Sequence, residues 1–146
     1  MEVCVIHKLH ITTELTKFFL MSNNKTIRWW DSNTGEQIGQ PWTGHTDWIS
    51  SLSLSPDGTL LASLSFDKTV RFWDTTLGRP VGQHLQHNTS VYSVCFSPSG
   101  DIVASGGNDV DVYLWWAPWL DSSESQVMHA SDLPRYPHSL FSTSKR

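Results

Sequence analysis

Between residues 44 and 86, four short segments of apolar positions and strand-forming residues are separated by turn chemistry. The segments are 48–54, 59–65, 69–74 and about 79–85, each the length of an average strand. Ser55-Pro56-Asp57-Gly58 predicts the first turn. Pro56 presets φ, Asp57 can bond its own backbone, and Gly58 accepts a positive φ. Phe66-Asp67-Lys68 and Thr75-Thr76-Leu77-Gly78 predict the second and third turns.

The pattern recurs along the chain. Ser55-Pro56-Asp57-Gly58 returns further on as Ser97-Pro98-Ser99-Gly100. Val70-Arg71-Phe72-Trp73-Asp74 matches the earlier Ile27-Arg28-Trp29-Trp30-Asp31. The apolar triplet Ile49, Leu52, Leu54 comes back as Val91, Val94, Phe96 and, more weakly, as Ile6, Leu9, Ile11. A four-stranded unit recurring at roughly 42–43 positions points to propeller blades. Gly44-His45 at the start of the unit and Trp73-Asp74 at the end of its third strand resemble the WD-repeat family. The resemblance runs from residue 1 to about 116, in three units. It implies an all-β fold, a partial WD-type β-propeller of about three four-stranded antiparallel blades, the third incomplete.

The expected organisation is a degenerate repeat at 1–43, a full repeat at 44–86, an incomplete repeat at 87–120 and a tail at 121–146. Strands are expected near 5–11, 17–22 and 26–31 in the first unit, and near 90–96, 101–106 and 111–116 in the third. After Trp116, Ala117-Pro118 interrupts the pattern. The stretch 117–146 holds seven serines and three prolines with few aliphatics, so 121–146 is expected to be disordered. Three blades are short of the roughly 4–8 that rings take. The chain is therefore expected to be a fragment of a larger propeller, or to close by self-association through open blade edges.

Composition narrows the partners. The formal net charge is −4 and the lysines and arginines are scattered, which argues against nucleic acid. Cys4 and Cys95 lie in different repeats with no metal-ligand spacing, in keeping with a reducing compartment. Glu2, Lys8, Glu14 and Lys17 interrupt the stretch 1–20, so no membrane span or signal core is expected there. A cytoplasmic location is expected, with the nucleus left open.

Histidine, serine and aspartate together could suggest catalysis. The family resemblance implies instead a buried hydrogen-bonded chain within each blade: His45, Ser63, Asp67 and Trp73 in the second unit, His87, Ser105, Asp109 and Trp115 in the third. The first unit departs from it, with Met1, Leu20 and Asn24 at the first three positions and only Trp30 kept. A serine nucleophile also needs a base and an oxyanion hole on exposed elements, and no motif supplies that hole. Asp101, Asp109 and Asp111 lie close in sequence, and His7 and His10 are near each other, but neither group is a ligand set. No metal or other cofactor is expected.

The resemblance implies non-catalytic binding of proteins or peptides. Positions just before the network aspartate and around the start of the first strand commonly face partners in this family. Here they are Phe66 and Trp48, Asn108 and Ser90, and Asn23 and Val5. These residues differ between units while the frame around them repeats, as a recognition surface would. Trp48 is open to two readings, a core residue between blades or an exposed anchor. The stretch 35–49 also resembles repeats appended to fungal NACHT-type signalling proteins, which would imply a sensor or ligand-recognition region. A propeller enzyme fragment with acids at its mouth is the remaining alternative.

Overall fold

The structure, a computed structural model, describes residues 17–21, 25–108, 112–116 and 127–129. Eleven strands form three antiparallel sheets, and no helix occurs among the described residues. The first sheet is β1 (Lys17–Met21), β2 (Ile27–Asp31) and β3 (Gln37–Trp42). The second is β4 (Ile49–Leu54), β5 (Leu60–Ser65), β6 (Thr69–Asp74) and β7 (Pro80–Gln86). The third holds β8 (Val91–Phe96), β9 (Ile102–Gly107), β10 (Val112–Trp116) and β11 (Val127–His129). In all three, sequence neighbours are sheet neighbours. The strand expected near 5–11 lies outside the described residues.

The structural repeat reaches into irregularities. The register slips between Ile49 and Ser51 and, at the equivalent place in the next unit, between Val91 and Ser93. It slips between Ile27 and Trp29 and, one unit later, between Val70 and Phe72. A bulge adds twist and re-aims side chains, so these slips belong to the design of the unit. Lys25 and Lys68 both take positive φ, 67° and 66°, in equivalent turns. Each lysine reaches the loop of the next unit: Lys25 Nζ donates to the Thr46 carbonyl at 2.7 Å, Lys68 Nζ to that of Asn88 at 3.3 Å.

The core lies between sheets. Side chains alternate across a strand, so the second sheet presents one apolar face to the first sheet and another to the third. Met21, Ile27 and Trp42 pack against Ile49, Leu52, Leu61 and Trp73 in the first seam. Ala62, Leu64, Val70, Phe72 and Leu85 pack against Val91, Val94, Val103 and Trp115 in the second. Inner strands are also tied by serine. Ser51 Oγ accepts the Val94 N–H at 3.3 Å, and Ser53 Oγ accepts that of Phe96 at 3.1 Å.

The structure differs from the sequence expectation at the outer edge of the third unit. The sequence predicts no fourth strand there and a tail over 121–146, yet Val127, Met128 and His129 pair with Trp115, Leu114 and Tyr113. The physical reason is that an edge strand is held by backbone bonds. A composition argument counts only the apolar side chains a segment can bury, and three backbone pairs escape it.

Candidate functional site

The loop before β4, the strand β5, the turn after it and the strand β6 converge on one oxygen. Ser63 faces Arg71 in the β5–β6 ladder and Leu61 faces Trp73, which places Ser63 and Trp73 diagonally on one face. The Trp73 indole N–H donates to Ser63 Oγ at 2.7 Å. The Ser63 hydroxyl lies 2.7 Å from His45 Nε2, and His45 Nδ1 lies 2.8 Å from Asp67 Oδ2. Asp67 is fixed from several sides. Its Oδ1 accepts the Thr69 hydroxyl at 2.6 Å and the Thr69 N–H at 2.9 Å, and its Oδ2 accepts the Thr46 N–H at 2.9 Å.

Electrostatics favour one protonation pattern. Burial pushes His45 below the usual imidazole range, and Arg71 adds to this; the pull of Asp67 in the other direction is weaker. Burial would raise Asp67, but the bonds from Thr69, Thr46 and His45, with the His45 charge, hold it below the usual carboxylate range. A neutral His45 therefore donates from Nδ1 to the Asp67 carboxylate and accepts at Nε2 from the Ser63 hydroxyl. The order Asp–His–Ser matches a hydrolase triad. Here, though, Ser63 is 0% exposed and its oxygen is engaged by Trp73, so no substrate carbonyl can approach it. The arrangement satisfies buried polar groups jointly and stiffens the blade.

The third unit repeats the inner half. Trp115 Nε1 donates to Ser105 Oγ at 2.9 Å, and Ser105 Oγ lies 3.1 Å from His87 Nε2. The His87 ring meets Tyr113 edge-on at 4.7 Å. Asp109 lies outside the described residues, as do Met1 and Asn24. In the first unit Leu20 faces Arg28, the place Ser63 takes opposite Arg71. Trp30 Nε1 is buried there without a partner among the described residues.

At the same end of the sheets lie the other candidates. The Phe66 N–H donates to the Trp48 carbonyl at 2.8 Å, and in the next unit the Asn108 N–H donates to that of Ser90 at 3.1 Å. Trp48 is 54% exposed and Phe66 38%. Asn108 is exposed and Ser90 half-buried. Val5 and Asn23 lie outside the described residues. Trp48 is thus an exposed indole, while Phe66 is exposed and also meets Tyr92 of the next unit edge-to-face at 5.8 Å. Tyr92, 44% exposed, is a member of this surface that sequence reasoning missed. A signal was present: Val91, Val94 and Phe96 are spaced three and then two, and a spacing of three in a strand marks a bulge with an extra outward residue.

The repeat family described as WD domain, G-beta repeat, matches residues 35–74 and 78–115. The chain belongs to the WD-repeat family. It is 28% identical over 105 residues to the small ribosomal subunit protein RACK1 of Neurospora crassa, covering 70% of this chain and 32% of that one. It is 36% identical over 110 residues to the U5 small nuclear ribonucleoprotein 40 kDa protein of Dictyostelium discoideum, covering 75% and 31%. The chain spans about a third of the length of these relatives.

Proposed function

We propose that this chain is a non-catalytic protein-binding or scaffolding module, part of a ring larger than its three sheets. The observation that carries the reading is a set of exposed aromatics: Trp48 and Phe66, joined by a backbone bond, and Tyr92 of the next unit, which meets Phe66 edge-to-face. Rigid, exposed aromatics on a fixed frame are the usual anchors of protein interfaces. The relatives named above carry the names of a small ribosomal subunit protein and a small nuclear ribonucleoprotein protein, which supports a role inside an assembly. The net charge of −4 favours protein over RNA as the contact. The finer reading, a sensor region of a NACHT-type signalling protein, rests on the wording of residues 35–49 alone.

A photo-crosslinking amino acid at Phe66, in the protein expressed in its own host, tests this. A discrete protein adduct is expected at position 66, lost when Trp48 is also changed to Ala. The same probe at Leu77, exposed on another turn, should not give it. An adduct that is equal at both positions and indifferent to Trp48→Ala would overturn the reading.

A further inference from the structure

A cleft of about 510 Å³ lies between the second and third sheets, a volume in the range of ligand pockets. Strand β4 leaves Trp48 at one end and enters the cleft's first turn at the other, so the exposed aromatics are at the far end of the sheets. The β4–β5 turn and its counterpart one repeat on, the β8–β9 turn, supply most of the lining. Each turn is closed by a backbone bond, Gly58 N–H to the Ser55 carbonyl at 2.9 Å and Gly100 N–H to that of Ser97 at 3.0 Å. The turns nearly touch, since a Cβ built on Gly100 would stand 3.4 Å from Pro56 Cδ. Asp74, paired with Leu60 across the ladder, and Val81 complete the lining.

The lining is of two kinds. Pro56, Leu60 and Val81 offer apolar surface, while Asp57, Asp74 and Asp101 offer carboxylates. Hydrogen bonds from Ser55 and Thr59 hold Asp57 below the usual carboxylate range. Asp74 Oδ1 accepts the Thr76 and Leu77 N–H groups at 2.7 and 2.8 Å, and its Oδ2 accepts none among the described residues. Asp101 is exposed, and its carboxylate accepts no hydrogen bond among the described residues. No cationic side chain pairs with any of the three among the described residues.

We infer that this cleft receives an arginine side chain from a peptide segment of a partner protein. The occupant follows from the lining. An arginine carries an apolar stem and a charged head, which match the apolar surface and the carboxylates in turn. Its planar guanidinium presents five donors, enough to serve carboxylates that arrive from separate turns, whereas a lysine ammonium is a compact and more strongly hydrated charge. A metal ion fits less well, because no group of three or more His, Cys, Asp or Glu side chains among the described residues is placed to hold one. The cleft exceeds one side chain in volume, so residues flanking the arginine enter with it. The inference takes from the proposed function only that the partner is a protein. It uses nothing of the Trp48 surface, which can fail separately.

Titration of the full chain with the peptide acetyl-Ala-Arg-Ala-amide, followed by the methyl NMR signals of Leu60 and Val81, is the test. Saturable shifts at both residues are expected, with a dissociation constant of about millimolar order. The same peptide with citrulline for arginine keeps the shape without the charge and should bind about tenfold more weakly. Asp101→Asn and Asp74→Asn each keep an acceptor oxygen and should weaken binding by about threefold. Trp48→Ala should leave the affinity unchanged, which separates this cleft from the aromatic surface. Shifts that do not saturate overturn the inference, as do a citrulline peptide that binds equally and aspartate variants that both bind like wild type. Calcium chloride that moves the same methyl signals at a lower concentration than the peptide would make the cleft a metal site and overturns it too. So do Leu60 and Val81 shifts that follow chain concentration without peptide, which would make a second copy the occupant.

Discussion

His45 Nδ1 lies 2.8 Å from Asp67 Oδ2, joining the loop before the innermost strand to a turn 22 residues further on. Both side chains are shielded, at 0% and 5% exposure. Removing either takes one hydrogen bond away from a buried partner, which costs about 1–3 kcal/mol. His45→Ala and Asp67→Ala should each lower stability by that amount in denaturant melts, with little sum when combined, because both break one network. His84→Ala, on the exposed outer strand, should change it by less than about 0.5 kcal/mol. Equal effects at all three positions would remove the network from the account.

Acid should act on this pair from one side. Burial keeps His45 neutral in the folded state below the pH at which an unfolded histidine, near 6.5, takes up its proton. The unfolded chain then binds more protons, and stability falls as pH drops below about 6.5. Asp67 is also held low when folded, so its contribution is present above the unfolded value near 3.9 and is lost below it. Melts should be nearly flat above about pH 6.5 and weaken below. His45→Gln should flatten the slope that sets in below about pH 6.5, leaving the carboxylate step at lower pH in place. A slope unchanged by that substitution would mean that another group titrates.

Gly78 is needed twice over. Its φ is +64°, and a Cβ built on it would run into Trp42 Nε1. Trp42 in turn stacks on Trp73 at 6.0 Å, so the turn of one unit is fitted to the outer strand of the unit before it. Gly78→Ala should cost about 1–3 kcal/mol through backbone strain and overpacking together. Gly35→Ala, at the equivalent turn with open space around it and φ +70°, should cost only the strain part, about 1 kcal/mol. Thermal melts that rank them the other way would place the constraint elsewhere.

Local chemistry made the second unit legible. The turn residues Pro56, Asp57, Gly58 and Gly78 mark where strands stop, and the short spacings among His45, Ser63, Asp67 and Trp73 place each on a known strand or turn. What escaped is held by backbone or by contacts between units. β11 is three residues long, too short for an alternating pattern to mark it, and it shows through its pairing with β10. Tyr92 turns outward because the strand slips at Val91 and Ser93, which shows only when apolar spacing is counted in threes. The reach of Lys25 and Lys68 to carbonyls of the next unit depends on how the units stack, which no local pattern shows.

Leu20 offers a test of the network by construction. It faces Arg28 as Ser63 faces Arg71, so a serine there would place its hydroxyl where Trp73 finds its acceptor in the next unit. Trp30 Nε1 is buried without a partner among the described residues. Shortening Leu20 to Ala removes apolar contact on a half-buried face and leaves the indole N–H as it was. Shortening it to Ser removes a similar area but supplies an acceptor. Ordinarily Ala is the better buried residue of the two, since a hydroxyl must be desolvated. Here the order should invert: Leu20→Ser should be more stable than Leu20→Ala by about 1 kcal/mol, the net worth of one buried hydrogen bond. In the second unit the order should be the ordinary consequence of loss, with Ser63→Ala costing about 2–4 kcal/mol because both Trp73 Nε1 and His45 Nε2 lose their partner. Denaturant midpoints of the three variants decide the matter. If Leu20→Ala proves the more stable, the first unit does not hold the geometry that makes Ser63 the centre of the second.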